Sequence, residues 1–321
     1  MRIAVLGAGM SSASFSHNIN TPASLSIFDK ARGVGGRMSH RLVSDVGDFD
    51  HGAQFFTART KSFQNLLQPL LAAGSVTIWS GKIGYSTQDT TEAAHQSQRY
   101  VAHPANGLVK QMLKDQSILL KKRCTKLERE ADLWTLSFED GSQESGFDWV
   151  VLSMPAPQAY ELIKDYWQPA QAKTTLQPCF CLLIGLREDL RPAALEWDAA
   201  FVNKGIINWY AENRSKGRPT NMLCYTIHST PAFAEDFAES HRAEMELAIY
   251  REFLQLTGWS DKALVHQSSH FWRYAKPEPL EAAAGQHLMN RSLKLALIGD
   301  YLAGGRVEGA YASGKSLADA F

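Results

Sequence analysis

Short apolar runs alternate with turn residues and helix-like patterns along the chain, most regularly at its beginning. Residues 3–6 (IAVL) predict a buried strand, and a helix is expected to begin between Gly9 and Ser11. The turn NTPAS at 20–24 then leads into a second strand at 25–30, LSIFDK. The pattern predicts a strand–helix–strand unit with an unusually short helix.

Further strands and helices are predicted along the rest of the chain. Apolar residues at helical spacing predict helices at 61–74, 105–115 and 236–258. Strand-like runs occur at 149–153, 179–186, 198–203, 222–228, 264–271 and 295–300. A glycine-rich loop and a helical pattern at 309–321 follow the last of these strands. The strand–glycine–helix arrangement of the start of the chain therefore returns at its end.

This distribution predicts an α/β protein with two lobes. A dinucleotide-binding lobe would be assembled from the start, the middle and the end of the chain, because the nucleotide-type patterns lie there. A second, mixed α+β lobe would be inserted between these pieces. The expected boundaries are 1–58, 102–160 and 285–321 for the first lobe, and 59–101 and 161–284 for the second.

Composition and charge disfavour several classes of partner. The 321 residues include 33 Lys and Arg against 33 Asp and Glu, so the chain lacks the basic excess of a typical nucleic-acid or acidic-membrane binder. No apolar run approaches the roughly 20 residues that span a bilayer, and there is no signal-peptide pattern. Four cysteines without C-x-x-C spacing are typical of buried thiols in a reducing compartment. We therefore expect a cytoplasmic protein without nucleic-acid, membrane or metal partners.

The first candidate for chemistry is the turn at residues 7–12, GAGMSS. A dinucleotide fingerprint needs glycine at the tight turn, glycine where the backbone approaches the pyrophosphate, and a small residue where helix meets strand. Gly7 and Gly9 fit this pattern, and Ser12 replaces the third glycine. Asp29, at the end of the second strand, can accept hydrogen bonds from ribose hydroxyls. A tight turn without a ligand is the alternative interpretation.

A second glycine-rich stretch, RGVGGR at 32–37, follows Asp29 closely. Its glycines let the backbone come close to a ligand, and Arg37 can offer paired donors to a phosphate of the pyrophosphate. A nicotinamide-binding domain has no need of this second element, whereas the longer, buried dinucleotide of a flavin has. A solvated basic loop is the alternative interpretation.

Two more elements would complete such a site. The segment DFDHGAQFFT at 48–57 contains Gly52 and Ala53, whose small side chains let a ring lie against the chain. Near the end, Asp300 follows a strand and precedes the loop GGRVEGA at 304–310. The free N–H groups of the helix that begins there would stabilise the electron-rich edge of a reduced isoalloxazine, and Asp300 could accept from ribityl hydroxyls. A routine helix cap is the alternative interpretation of this last element.

Together these elements resemble the FAD-dependent amine-oxidase-like superfamily with its p-hydroxybenzoate-hydroxylase-type fold, and within it the renalase-like proteins. The segments that carry the resemblance are FDKARGVGGRM (28–38), DHGAQFFTAR (50–59), INWYAENRSK (207–216), FWRYAKP (271–277) and IGDYLAGGRVEGAYASG (298–314). The resemblance covers essentially the whole chain. The GG-R-M element is shared by many flavin amine oxidases, whereas the segments at 50–59 and 271–277 are more specific to renalase-like proteins. Ser12 and the polar helix SSASFSHN depart from the usual pattern, and weaker binding of FAD is expected from them.

The resemblance implies FAD as the cofactor and an α/β, two-lobed FAD-binding Rossmann-like domain with an inserted substrate domain. The expected cofactor contacts are Gly7, Gly9, Met10, Ser11, Ser12, Asp29, Lys30, Arg32, Gly36, Arg37, Met38, Gly52, Ala53, Gln54, Cys124, Gly299, Asp300, Arg306, Val307, Glu308 and Ala310. The expected catalytic residues on the substrate face are Gln54, Phe56, Trp209, His228, Trp272 and Tyr274, with Asn213 as a further candidate. Arg273 is expected on the other face of its strand, in a structural salt bridge.

The same resemblance implies oxidation of 2- or 6-dihydro-NAD(P), which are misreduced nicotinamide dinucleotides. Hydride would pass to flavin N5, and O2 would then take the electrons and give hydrogen peroxide. A dihydronicotinamide has no proton that must leave before the hydride, so no general base is required. Two alternatives stay open, a flavin amine oxidase or other flavin oxidoreductase, and a non-catalytic flavin-binding protein. The expected partners are the small-molecule substrate and O2, with the chain a monomer or a weak homodimer.

Overall fold

The computed structural model of the protein describes residues 1–86, 91–93, 97–237, 239–278 and 286–321. Its helices are α1 (Met10–Asn18), α2 (Lys61–Ala72), α3 (Gly107–Met112), α4 (Ala156–Ile163), α5 (Pro231–Glu235), α6 (Arg242–Thr257) and α7 (Arg306–Ala318). Its strands are β1 (Arg2–Leu6), β2 (Ser24–Asp29), β3 (Arg41–Val43), β4 (Gly47–Phe49), β5 (Val76–Ile78), β6 (Ile83–Ser86), β7 (Thr91–Ala93), β8 (Tyr100–Ala102), β9 (Ser117–Leu120), β10 (Cys124–Glu130), β11 (Leu133–Phe138), β12 (Gln143–Phe147), β13 (Trp149–Leu152), β14 (Leu176–Leu186), β15 (Ala199–Val202), β16 (Ile207–Glu212), β17 (Leu223–Ser229), β18 (Leu264–Pro277), β19 (Leu288–Asn290) and β20 (Leu295–Leu297).

The first large sheet has six strands in the order β19-β20-β13-β1-β2-β9. Strands β20, β13, β1, β2 and β9 run parallel, while β19 at the edge is antiparallel to β20. The carboxyl ends of parallel strands lie at one edge of a sheet, and the connections that leave them meet there. The turn after β1, Asp29 at the end of β2 and the loop after β20 are therefore brought to the same edge.

Helix α1 has a serine-rich sequence because it packs closely against α7. The hydroxyl of Ser14 donates to the carbonyl oxygen of Tyr311 in α7 at 2.7 Å. A Cβ atom at Gly314 of α7 would lie 2.1 Å from the carbonyl oxygen of Ser11, so a larger residue would force the two helices apart. Small side chains, with the hydroxyls of Ser12 and Ser14 hydrogen-bonded, thus allow a close helix–helix contact beside the first glycine turn.

The second large sheet has seven strands in the order β18-β14-β17-β16-β15-β6-β7. Strand β18 forms its edge and, among the described strands, pairs with β14. Two arginines that follow β2 in the chain bind free carbonyl groups of this edge. Arg41 Nη1 donates to the carbonyl oxygen of Ser269 at 3.4 Å, and Arg37 Nη1 donates to that of Ala275 at 3.1 Å. The segment that follows β2 in the first sheet is thereby hydrogen-bonded to the edge of the second sheet.

The two largest differences from the predicted element boundaries concern α6 and β18. The helix predicted at 236–258 begins at Arg242, because a separate helix, α5, is capped by the Thr230 hydroxyl, which accepts from the backbone N–H of Phe233. The strand predicted at 264–271 continues to Pro277, because its pairing with β14 runs from Leu264 to Pro277.

The remaining strands form three smaller sheets, β10-β11-β12, β3-β4 and β5-β8. The boundaries between the two domains stay a prediction, and the one at 284/285 lies outside the described residues. No helix in the described ranges combines the length and the apolar character that crossing a bilayer requires.

Candidate active site

A cleft of about 2400 Å³ is lined by residues of both large sheets. Pockets for one small ligand typically measure about 300–1,000 Å³, so this cleft has room for an extended cofactor together with a substrate. It receives all of the predicted cofactor contacts other than Ser12 and Glu308, and all six predicted catalytic residues. The fold therefore gathers side chains from the beginning, middle and end of the chain around one space.

The two glycine-rich stretches lie against each other at one wall of the cleft. Gly7 has a φ of +110°, which favours glycine at this turn. A Cβ atom at Gly9 would have no heavy atom within 4 Å, so the backbone there is open to the cleft. The N–H of Gly35 donates to the carbonyl oxygen of Ala8 at 2.9 Å, and a Cβ atom at Gly36 would lie 3.7 Å from Gly9 Cα. The paired turns form a side-chain-free cradle of the kind that dinucleotide phosphates require.

Asp29 joins these two stretches through its carboxylate. Its oxygens accept hydrogen bonds from the backbone N–H groups of Ala8 and Ala31, each at 2.7 Å. A carboxylate can accept about four hydrogen bonds, so this one retains capacity for two more. The position and the free capacity fit the ribose hydroxyls expected at the end of β2.

Arg37 and Asp300 bind each other across the cleft. Arg37 Nη1 lies 2.9 Å from one carboxylate oxygen, and Nη2 binds the other, which makes a bidentate ion pair. The sequence predicted a pyrophosphate contact for Arg37 and ribityl contacts for Asp300. In the structure the two side chains pair with each other, so the second glycine-rich stretch is joined to the loop after β20. Their contacts with the cofactor stay predictions.

Ser12 and Glu308 lie outside the lining of the cleft. Ser12 is buried, and its hydroxyl donates to the carbonyl oxygen of Gly9 at 2.8 Å, within its own turn. The Glu308 carboxylate accepts from the backbone N–H groups of Arg59 and Thr60, which lie just before α2. The polar side-chain atoms of both residues are therefore committed to backbone partners, and that of Ser12 stabilises the first glycine turn.

Gln54 is buried, and four neighbours fix the orientation of its amide. Its Oε1 accepts from Lys216 Nζ at 2.8 Å and from Trp209 Nε1 at 3.3 Å. Its Nε2 donates to the carbonyl oxygens of Asp50 and Gly52. Two donors on one side and two acceptors on the other leave a single favourable orientation of the amide. Gln54 thus holds Trp209 in place beside the cleft.

A buried group of charged residues lies behind Gln54, and the sequence analysis missed it. Arg218 binds both carboxylate oxygens of Asp50, at 2.9 and 2.8 Å, and Lys216 Nζ lies 3.6 Å from the same carboxylate. Burial lowers the pKa of Lys216 to about 8, although Asp50 opposes the shift. Asn213 bonds to Lys216 Nζ at 3.3 Å and is fully buried, so it belongs to this group and does not line the cleft. The sequence feature that could have indicated this buried group is the set of three cations within residues 214–218.

His51, His228 and His270 line the cleft together with Trp272, on the side where the sequence analysis expects the substrate and which we call the substrate wall. The carbonyl oxygen of His51 accepts from Trp272 Nε1 at 2.8 Å and from His228 Nε2 at 3.3 Å. Burial, followed by neighbouring positive or potentially positive groups, lowers the pKa of His51 to about 3 and that of His270 to about 4. Burial also lowers the pKa of His228 to about 4. All three imidazoles are therefore neutral at physiological pH.

The other predicted aromatic residues sit at the borders of the cleft. Phe56 stacks on Tyr100 with ring centroids 5.9 Å apart and is mostly buried in the core under the first sheet. Tyr274 packs against the core on that sheet's other face. The salt bridge expected for Arg273 is not present among the described residues. Its guanidinium lies 5.6 Å from the ring centroid of Phe271, at the wall of the cleft.

The fold and the cleft define a two-lobed protein that holds an extended dinucleotide cofactor at the carboxyl edge of a parallel sheet. The chain belongs to the family described as flavin containing amine oxidoreductase, which it matches over residues 44–320. Residues 5–70 match the NAD(P)-binding Rossmann-like domain. The predictions of FAD as cofactor and of a FAD-dependent oxidoreductase are confirmed by this membership.

Comparison with individual proteins agrees with this family. Renalase of Mus musculus is 30% identical over 181 residues, which are 51% of this chain, and the chain spans about half the length of that relative. A proposed protoporphyrinogen oxidase from Exiguobacterium sp. 255-15 superposes with a TM-score of 0.75 at 11% identity, over 99% of this chain and 98% of that one. Reduced UDP-galactopyranose mutase superposes with a TM-score of 0.76 at 10% identity, over 99% and 94% of the two chains. These structures confirm the predicted two-lobed fold.

Proposed function

We propose that the protein oxidises 2- or 6-dihydro-NAD(P), the renalase-like activity expected from the sequence. Bound FAD supplies the hydride acceptor and passes the electrons to O2, which gives hydrogen peroxide. The proposal is supported by the partial identity to renalase and, above all, by the chemistry of the substrate wall.

The placement of His51, His228 and His270 beside Trp272 in the cleft is the observation that carries the proposal. An amine substrate is protonated at neutral pH and must lose a proton before hydride can leave. Imidazoles whose pKa values are lowered to about 3 or 4, as in His51, His228 and His270, are too weakly basic to take it. A dihydronicotinamide need not lose a proton before the hydride leaves. Neutral rings that can form hydrogen bonds therefore suit it better than they suit an amine.

His228 offers a specific contact for the nicotinamide carboxamide. A carbonyl oxygen can only accept, so the hydrogen bond to His51 requires the proton of His228 to be on Nε2. Its Nδ1 then carries a lone pair and has no partner among the described residues. The carboxamide NH2 of a substrate ring beside Trp209 could donate to this nitrogen.

Amine oxidation is the second candidate, and the description of the family favours it. Flavin amine oxidases often hold the amine between two facing aromatic rings. Here the ring of Trp272 instead stacks on His51, with centroids 5.3 Å apart and an interplanar angle of 19°. This arrangement supports a flat substrate more than a caged amine.

Anaerobic reduction of the FAD-loaded protein tests the proposal. The 2- and 6-dihydro isomers of NAD should bleach the flavin quickly, whereas ordinary 4-dihydro-NAD and benzylamine should do so slowly or not at all. His228→Leu should raise the concentration of either isomer that is needed to saturate the reduction rate. His287→Leu, at a half-buried histidine outside the cleft, serves as the matched control. Equally fast bleaching by 4-dihydro-NAD, or bleaching by the amine alone, would exclude this function.

A further inference from the structure

One row of side chains crosses the seven-stranded sheet on the face that lines the cleft. Direct cross-strand partners place the residues of this row in the order His270, Cys181, His228, Trp209, Phe201 and Tyr85. Directly paired residues share one face of a sheet, so the row is continuous from β18 to β6. All of its members except Cys181 line the cleft.

The row has a histidine half and an aromatic half. In the aromatic half, the ring centroids of Trp209 and Phe201 are 4.5 Å apart, and those of Phe201 and Tyr85 are 5.0 Å apart. The last two rings are stacked at an interplanar angle of 20°. Exposure rises along the row, from 4% for Trp209 to 37% for Tyr85. Tyr85, the outermost ring of this stack, is therefore the one most open to a ligand.

Positive charge lies close to these rings. The guanidinium of Arg99 is 5.3 Å from the ring centroid of Phe55, which itself contacts Phe201. Arg59 also lines the cleft, and its guanidinium has no ion-pair partner among the described residues. Beyond Tyr85 the row ends at Glu92, which does not line the cleft. Aromatic rings in a cleft that is also lined by guanidinium groups suit a flat heterocycle that carries phosphate.

The spacing of the row indicates how long such a ligand must be. Neighbouring strands lie about 4.8 Å apart, and three spacings separate His228 from Tyr85, which gives about 14 Å. A single ring cannot contact both residues. The two bases of a dinucleotide can, because the two ribose and two phosphate groups between them bridge such a gap.

We propose that Tyr85 and Phe201 form a second base-binding subsite, on which the adenine of the dinucleotide substrate stacks. The inference rests on the proposed function, because it assumes that the dihydronicotinamide ring occupies the histidine end of the row. It makes the substrate a whole dinucleotide that lies across the strands, with its phosphates directed toward Arg59 and Arg99.

Calorimetry with ADP-ribose on the FAD-loaded protein tests the subsite without requiring turnover. The protein should bind ADP-ribose, and Tyr85→Ala should weaken binding about 5- to 150-fold, the usual effect of losing one base–aromatic stack. Tyr85→Phe keeps the ring and should bind normally. Tyr166→Ala removes a tyrosine of similar exposure, 39%, outside the cleft and should also bind normally. Absence of binding, or unchanged affinity in Tyr85→Ala, would overturn the subsite.

A kinetic comparison separates the subsite from the proposed function. Tyr85→Ala should raise the KM for the 6-dihydro isomer of NAD but leave that for the corresponding mononucleotide unchanged. If both substrates are affected equally while the flavin is still reduced, the subsite is wrong and the proposed function stands. If no isomer reduces the flavin, the proposed function is wrong, and the ADP-ribose measurement still decides whether Tyr85 binds a base.

Discussion

Replacing Gly9 by alanine should separate cofactor binding from folding. The backbone there has φ −94° and ψ −168°, which alanine adopts without strain, and the added methyl group would have no heavy atom within 4 Å. The variant should fold as well as the wild type, or gain about 0.4–1 kcal/mol because alanine restricts the unfolded chain. The methyl group would nevertheless project into the cradle beside Gly36, where the phosphates of FAD need close access to the backbone.

Chemical denaturation with and without FAD measures both effects of Gly9→Ala. At a free FAD concentration of 100 times the dissociation constant, the wild type should gain about 2.7 kcal/mol of stability. Gly9→Ala should lose most of this gain. Gly107→Ala is the matched control, because Gly107 lies outside the cleft and its added methyl group would be 3.4 Å from the nearest atom. A full FAD-dependent gain in Gly9→Ala would refute the assignment of this turn to the cofactor.

Two further predictions concern the buried polar groups. Asp50→Asn should lower the free energy of unfolding by about 3–5 kcal/mol, because Arg218 and Lys216 would remain buried without a carboxylate. In urea denaturation the exposed control Asp189→Asn should change little, and an equal loss at both positions would contradict this reasoning. The stability of the protein should also fall as the pH drops from about 7 toward 4. The folded-state pKa of His228 is about 4 against the usual 6.5, so in this window the unfolded chain binds a proton that the folded chain does not. His228→Gln should flatten this part of the pH profile, and an unaltered slope would show that the histidine is not responsible.

The glycine elements could be predicted from the sequence because each depends on local constraints. A glycine at positive φ after β1, an acidic residue at the end of β2 and a glycine loop after β20 are all visible within short windows. The topology rule for parallel sheets then brings the three together. Helix α6 and strand β13 could also be predicted from short windows of sequence, because hydrophobic periodicity is a local property.

Charge pairing could not be predicted, because the partners are far apart in the chain. Arg37 and Asp300 are separated by 263 residues, and Asp50 and Arg218 by 168. From the sequence alone, Arg37 was expected at the pyrophosphate, and Arg218 was given no role. The salt bridge predicted for Arg273 has no counterpart in the described part of the chain, and the reason is similar: alternation along a strand gives the face of a residue but not what lies opposite it.

The arginines on the edge of β18 have a consequence for association between molecules. An uncovered edge strand offers free N–H and C=O groups on which a strand of another chain can add, and β18, at fourteen residues, is long enough to be such a template. Arg41 and Arg37 occupy the carbonyl oxygens of Ser269 and Ala275 along this edge. Bulky cations placed there block an incoming strand, so the segment that helps to build the cradle also protects the protein from edge-to-edge aggregation.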